Sequence, residues 1–203
     1  MRASLPVRRN VLVPLLVTLG VALLPGCQKY DVLIEKDQVC EQRWADLEAQ
    51  LQRRSDLIPN LVNTVKAAAA SEKEILTGVL EARAKASSIQ LRGEDLQDPA
   101  KVAAFQKAQE GLTGALSRLL VVQEKYPDLK SNENFRGLQV QLEGTENRIL
   151  RSREQYNAAV ADYNTELGKI RGAVVKRATG GTFKPREYFR ASPESQAAPK
   201  VNF

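Results

Sequence analysis

Between Phe135 and Ile170 one side of a helix is kept apolar or small without interruption. Phe135, Leu138, Leu142, Thr145, Ile149, Ser152, Tyr156, Val160, Tyr163, Leu167 and Ile170 follow one another at intervals of three or four residues, the repeat of a single helix face. At 1.5 Å per residue this run is about 50 Å long, and its near-heptad rhythm is that of helices packed side by side. A helix of that length needs partners alongside it, so the rest of the chain is read for them.

Three further runs qualify. Cys40, Trp44, Leu47 and Leu51 form a stripe in a helix from Asp31 to about Arg54. The stretch Ser55-Asp56-Leu57-Ile58-Pro59 reads as a restart, with Asp56 as N-cap and Pro59 at a position whose missing N–H has no intrahelical partner to lose. The competing reading is one long helix kinked at Pro59. A second helix then extends to about Ile89, with Leu61, Val65, Ala68, Leu76, Val79, Ala86 and Ile89 facing inward. Gly93 to Asp98 is a turn, and Asp98-Pro99 is a cap followed by proline at the first helical position. The third helix carries Val102, Phe105, Leu112, Leu116, Leu119 and Val122 and stops at Tyr126-Pro127-Asp128. Gly78, Gly111, Gly114, Gly137 and Gly144 fall inside these runs, each costing up to about 1 kcal/mol against alanine, which suggests close helix contacts.

Amphipathic helices joined by short connections pack as antiparallel neighbours. The expected fold is all-α: an up-and-down four-helix bundle over residues 27–171, followed by an irregular basic tail over 172–203.

The N-terminus reads as an export signal over residues 1–26. Arg2, Arg8 and Arg9 precede an uncharged stretch from Val11 to Gly26, the layout of a secretory signal. Sixteen helical residues reach about 24 Å, short of the ~30 Å hydrocarbon core. The ending Leu24-Pro25-Gly26-Cys27 resembles a bacterial lipoprotein box, which makes Cys27 the lipidated residue and membrane lipid its partner. An uncleaved single-pass anchor is the alternative, and both put the protein on a membrane. Gln28 is not the aspartate that often retains lipoproteins at an inner membrane, so in a two-membrane cell the reading leans to the outer one. The bundle then lies on the exported side. With Cys27 acylated, Cys40 has no partner for an internal disulfide and reads as a small buried helix residue.

The chain has no histidine, and its one methionine is Met1. That excludes a histidine general base, a Ser-His-Asp triad, a His-ligated zinc site and the Glu-x-x-His di-iron site of helical bundles. No phosphate loop or nucleophile elbow appears, so no catalytic residue, metal or cofactor is assigned. The net charge of +6 belongs to the ends: residues 28–171 hold 21 basic and 22 acidic residues. A nucleic-acid binder carries its basic residues on the folded body, and this chain does not.

Several segments resemble the LemA family: Arg43-Trp44-Ala45-Asp46-Leu47; Gln50 to Val62 around Arg53-Arg54-Ser55-Asp56-Leu57-Ile58-Pro59; Tyr126 to Phe135; Thr145-Glu146-Asn147-Arg148-Ile149; Tyr156-Asn157; and Phe183-Lys184-Pro185-Arg186-Glu187-Tyr188-Phe189. The resemblance implies a bacterial membrane-associated helical bundle and brings no established activity. Family members usually carry an uncleaved transmembrane anchor and an apolar stretch before the last motif, and this chain departs from both.

Two interaction surfaces are expected. Chain direction puts the first helix end and the end of the third helix at the same tip, far from the anchor. That tip would gather Arg53, Arg54, Asp56, Asn60, Asp128 and Asn132 for a protein partner, unless Asp56 only caps the second helix, Ser131 or Asn132 only caps the fourth, and the arginines only pair with Asp128. The tail residues Lys176, Arg177, Lys184, Arg186 and Arg190 would meet lipid headgroups, unless residues 183–189 fold back along the bundle. The functional expectation is a non-enzymatic interaction or scaffold module, with a self-associating structural protein as the alternative.

Overall fold

A computed structural model describes residues 12–181 and 183–190, with side chains from Tyr30 to Lys169 and for most residues beyond Lys169. The basic start of the expected signal and the chain beyond Arg190 lie outside the described residues. So does the side chain of Cys27, whose backbone is helical.

The helices are α1 (Leu12–Ala68), α2 (Lys73–Ser88), α3 (Pro99–Val121), the short α4 (Pro127–Ser131), α5 (Glu133–Gly168) and α6 (Ile170–Ala178). Short 3-10 turns occupy Gly93–Gln97 and Val122–Lys125. The four longer helices α1, α2, α3 and α5 form the expected antiparallel bundle. α1 and α5 pack against each other, α2 pairs with α3, and α2 also lies against α1. The caps at two helix starts are those expected. Asp98 accepts from the amides of Ala100 and Lys101 at 2.9 and 3.3 Å, with Pro99 just inside. Asn132 accepts from the Phe135 amide at 3.1 Å.

Pro59 does not break the chain into two helices; α1 runs through it without interruption. A proline at this position removes the amide that would pair with the carbonyl four residues earlier. That carbonyl belongs to Ser55, and it accepts instead from Arg83 Nε of α2 at 2.9 Å. The turn comes later, at residues 69–72. Ala69 is buried there, while Ala68, expected to face inward, is exposed. Alanines are the best helix formers, so nothing local marks this turn. Long-range contacts hold it: the Tyr126 hydroxyl lies 2.7 Å from Ser71 Oγ and donates to Glu72 Oε1 at 3.1 Å.

The core is in two parts. The N-terminal half gathers Leu33, Cys40, Trp44 and Leu47 of α1 with Tyr156, Val160 and Tyr163 of α5. The far half gathers Ile58, Leu61 and Val65 with Leu112, Leu119, Leu129 and Phe135. A polar layer separates them, where Arg54, Ser55, Gln109 and Thr145 are buried.

The tail differs from the irregular one expected over 172–203 in that residues 170–178 are helical. Residues 183–190 fold back along the bundle as an extended strap, the alternative weighed for 183–189. Phe183 and Phe189 are buried in the N-terminal half of the core. Phe189 joins an aromatic cluster with Trp44 and Phe105, at centroid distances of 6.4 and 6.2 Å.

Candidate functional site

Of the six residues expected at the distal tip, Arg54 is the one the bundle claims for itself. It is 2% exposed, because its place on α1 falls between Leu51 and Ile58 on the buried face. Its Nη1 donates to Thr113 Oγ1 at 3.0 Å and to Glu146 Oε1 at 2.9 Å, and its Nη2 to Gln109 Oε1 at 2.6 Å. Gln109 in turn donates to the Ala86 carbonyl of α2 at 3.4 Å. One guanidinium thus ties α1, α3 and α5 together, with α2 one bond further, and is closed to a partner. It does not pair with Asp128.

The other five are exposed but not gathered. With α1 continuous, its end moves from Arg54 to Ala68, so Arg53 and Asp56 lie part-way along the bundle. Asp56 is about 18 Å short of that end at 1.5 Å per residue. It accepts from Gln52 Nε2 at 2.7 Å and caps nothing. Asp128 sits in the first turn of α4 at the true tip, and Asn132 is the N-cap of α5. The expected cluster therefore does not form.

What the distal half offers instead is an open groove between α1 and α5, of about 480 Å³. Asn60, Asn63 and Thr64 line one wall; Glu133, Asn134 and Gln141 line the other. Only Asn60 belongs to the sequence-derived set. The other residues carry no local signal, because their common face depends on how α5 docks on α1. A second groove of about 350 Å³ between α3 and α5 has Leu116, Leu120 and Leu142 on its floor and Glu143 and Glu146 at its rim.

The tail cluster is also redistributed. Arg177, Lys184 and Arg190 are exposed and Lys176 is half-buried, but Arg186 is inside. Its Nε donates to Asp37 Oδ1 at 2.7 Å and its Nη2 to Glu41 Oε1 at 3.1 Å. Asp37 and Glu41, one turn apart on α1, present two carboxylates to one planar guanidinium, and this draws the residue away from any headgroup. The two carboxylates hold Arg186 firmly protonated despite its burial.

Electrostatics in this region follow burial. Desolvation pushes the Cys40 thiol up to about 11 and the Tyr163 hydroxyl up to about 12, and it raises Tyr156 as well. A thiol so shifted is a poor nucleophile near neutrality, consistent with Cys40 as a packed core residue. These groups face the strap rather than an open cleft. Among the described residues, no cluster of three or more Cys, Asp or Glu is placed to hold a metal ion.

The LemA family model matches residues 43–203, which include Trp44, the polar layer, α5 and the strap. The chain belongs to the LemA family. Among its curated relatives are two magnetosome proteins of Paramagnetospirillum magneticum, MamQ 1 and MamQ 2. Each is 29% identical to it, with 81% of this chain and 66% of the relative covered. The magnetosome protein MamQ of Magnetospirillum gryphiswaldense is 28% identical with the same coverage. The chain thus spans just under two thirds of the length of these relatives. From Tyr30 onward, no helix described with its side chains is long and apolar enough to cross a membrane.

Proposed function

We propose that this LemA protein is a membrane-tethered, non-enzymatic module of the bacterial cell envelope that presents the far half of its bundle to a protein partner. The observation that carries the reading is where polar groups go. The buried ones, Arg54, Gln109, Thr145 and Arg186, are bonded within the fold. The open polar groove of Asn60, Asn63 and Gln141 lies in the half of α1 remote from the N-terminal segment. A bundle whose buried polar side chains, among the described residues, bond to other parts of the fold has its free chemistry on the outside, as an interaction module does. The tether we assign is acylated Cys27, with the bundle on the exported side.

The test is affinity purification of the tagged intact protein from gently solubilised envelopes, compared with an Asn63→Lys/Gln141→Lys variant. Both positions are exposed, so helical content and melting should not change. Loss of one co-purifying protein from the variant supports the reading; the same proteins with both baits would reject this groove.

Self-association is the second reading, favoured by Val121 and Val140, which stand 63% and 67% exposed on α3 and α5. A mass in solution that rises with concentration would support it.

A further inference from the structure

The strap is held in a way that helix packing does not require. Two Tyr-Asn pairs on α5, Tyr156-Asn157 and Tyr163-Asn164, are seven residues apart. Asn164 Nδ2 donates to the Arg186 carbonyl at 2.9 Å, while its Oδ1 accepts from the Arg186 amide at 3.0 Å. Asn157 does the same for Phe189, at 2.9 Å in both directions. Tyr163 donates to the Lys184 carbonyl at 3.0 Å and Tyr156 to that of Glu187 at 3.1 Å. Each ladder advances seven residues on the helix for three on the strap.

This match has a geometric cause. Seven helical residues rise about 10.5 Å, and three extended residues span about 10 Å, so side chains one heptad apart meet every third residue of an extended chain. The bonds go to backbone atoms and are indifferent to sequence. Selectivity comes from the side chains between them: Arg186 on Asp37 and Glu41, Phe189 in the aromatic cluster, and Phe183 edge-on to Tyr30 at 5.7 Å. The opposite wall completes the cradle, with the Glu187 amide donating to the Leu96 carbonyl at 2.9 Å and Gln106 Nε2 to that of Tyr188 at 2.9 Å. Backbone bonds for affinity and side-chain pockets for choice are the two parts of an extended-peptide receptor.

We propose that this face of α5, with Asp37 and Glu41 of α1, is a recognition site for an extended peptide of the pattern aromatic-x-x-Arg-x-x-aromatic, and that its ligand in trans is the 183–189 segment of a second copy of this chain. The second copy is the occupant because it carries the same segment, with Phe183, Arg186 and Phe189 at the spacing these contacts take. Gly180 and Gly181, at φ 67° and 82°, close the end of α6 ahead of the strap, their amides bonded to the Arg177 and Lys176 carbonyls at 3.2 and 2.9 Å, in backbone that side chains resist. A short connection to the bundle gives the resident strap an effective concentration of about millimolar, so the chain's own strap dominates until it is displaced or copies are crowded. This inference goes beyond the docking reading and uses no residue of the distal groove, so either can fail without the other.

The test nicks the full-length chain at a protease site inserted between Gly180 and Gly181, leaving every residue present. The expected result is unchanged helical content, a C-terminal fragment that stays with the bundle, and saturable displacement of it by a labelled FKPREYFR peptide. The corresponding FKPAEYFR peptide should compete at least tenfold less well. Loss of the fragment without peptide binding, equal competition by both peptides, or collapse of the helices on nicking would each overturn the site. In a second arm, two differently tagged intact copies are unfolded and refolded together at high concentration. Co-purification that disappears when both copies carry Arg186→Ala is expected, and monomers only from the wild-type mixture would overturn the second copy as occupant.

Discussion

Pro59 removes one amide from the interior of α1, and the Ser55 carbonyl it orphans is taken by Arg83 of α2 at 2.9 Å. Leaving a buried acceptor unpaired costs about 1–3 kcal/mol, so Arg83→Ala should destabilise the bundle by about 1–2 kcal/mol. In a Pro59→Ala background the new amide can return to Ser55, and the cost of Arg83→Ala should fall to a few tenths. Urea unfolding of the four proteins in a double-mutant cycle measures this; the same cost in both backgrounds would refute the compensation. The local sequence announces the proline, but its remedy comes from Arg83, 28 positions beyond the Ser55 carbonyl it serves, which is why the helix break was the natural expectation. The helical glycines are a second case. An added Cβ would meet nothing within 4 Å at Gly78, Gly111, Gly114 or Gly137, and at Gly144 only the Arg148 guanidinium at 3.8 and 3.9 Å. They mark no close helix contact. Gly111→Ala and Gly114→Ala should therefore each stabilise by about 0.5–1 kcal/mol, read as a higher denaturant midpoint with the slope unchanged.

At the scale of elements, the stripes of α3 and α5 were legible over most of their length, because a long helix repeats its signal at every turn, although α5 stops at Gly168 and the expected Ile170 begins α6. The strap was legible only as one of two courses for the tail, since an extended segment of eight residues carries no periodicity and its partners lie 21 to 32 residues earlier on α5. The repeated Tyr-Asn pair was the one available sign, and it reads equally as core tyrosine. The strap has its own titration. Burial raises Tyr163 to about 12 from an ordinary value of 10, and it raises Tyr156 too. Above pH ~10 the unfolded chain releases these protons while the folded one holds them. The associated stability is therefore complete below pH 10 and is lost as pH rises through about 12, by ~1.4 kcal/mol per pH unit for each group. Both hydroxyls donate to strap carbonyls. Tyr163→Phe should cost stability at neutral pH and flatten the decline between pH 10 and 12, as followed by denaturant unfolding at stepped pH; an unchanged slope would contradict the linkage. The layer around Arg54 works differently. It interrupts the core at one level in three helices, and a buried polar layer of this kind fixes the register of neighbouring helices more than it adds stability.

At the scale of the whole molecule, the all-helical bundle and its antiparallel order followed from the sequence. The candidate tip did not, because moving one turn from Arg54 to Ala68 carries α1 about 20 Å further and removes Arg53 and Asp56 from the end they were expected to share with Asp128. The tether makes its own prediction. The mature N-terminal peptide should begin at Cys27 and carry acyl mass, and Cys27→Ser should leave the protein unacylated; a peptide that still contains Val11 to Gly26 would indicate an uncleaved anchor.

The central claim is that the bundle works as a display whose functional contact lies in its far half. It is tested most directly by in-cell photo-crosslinking at two exposed positions, Asn63 in the distal groove and Glu154 in the other half of the bundle. The account predicts one discrete adduct with another envelope protein from Asn63 and none of that mass from Glu154. The same adduct from both positions, or adducts only between copies of this chain, would contradict it.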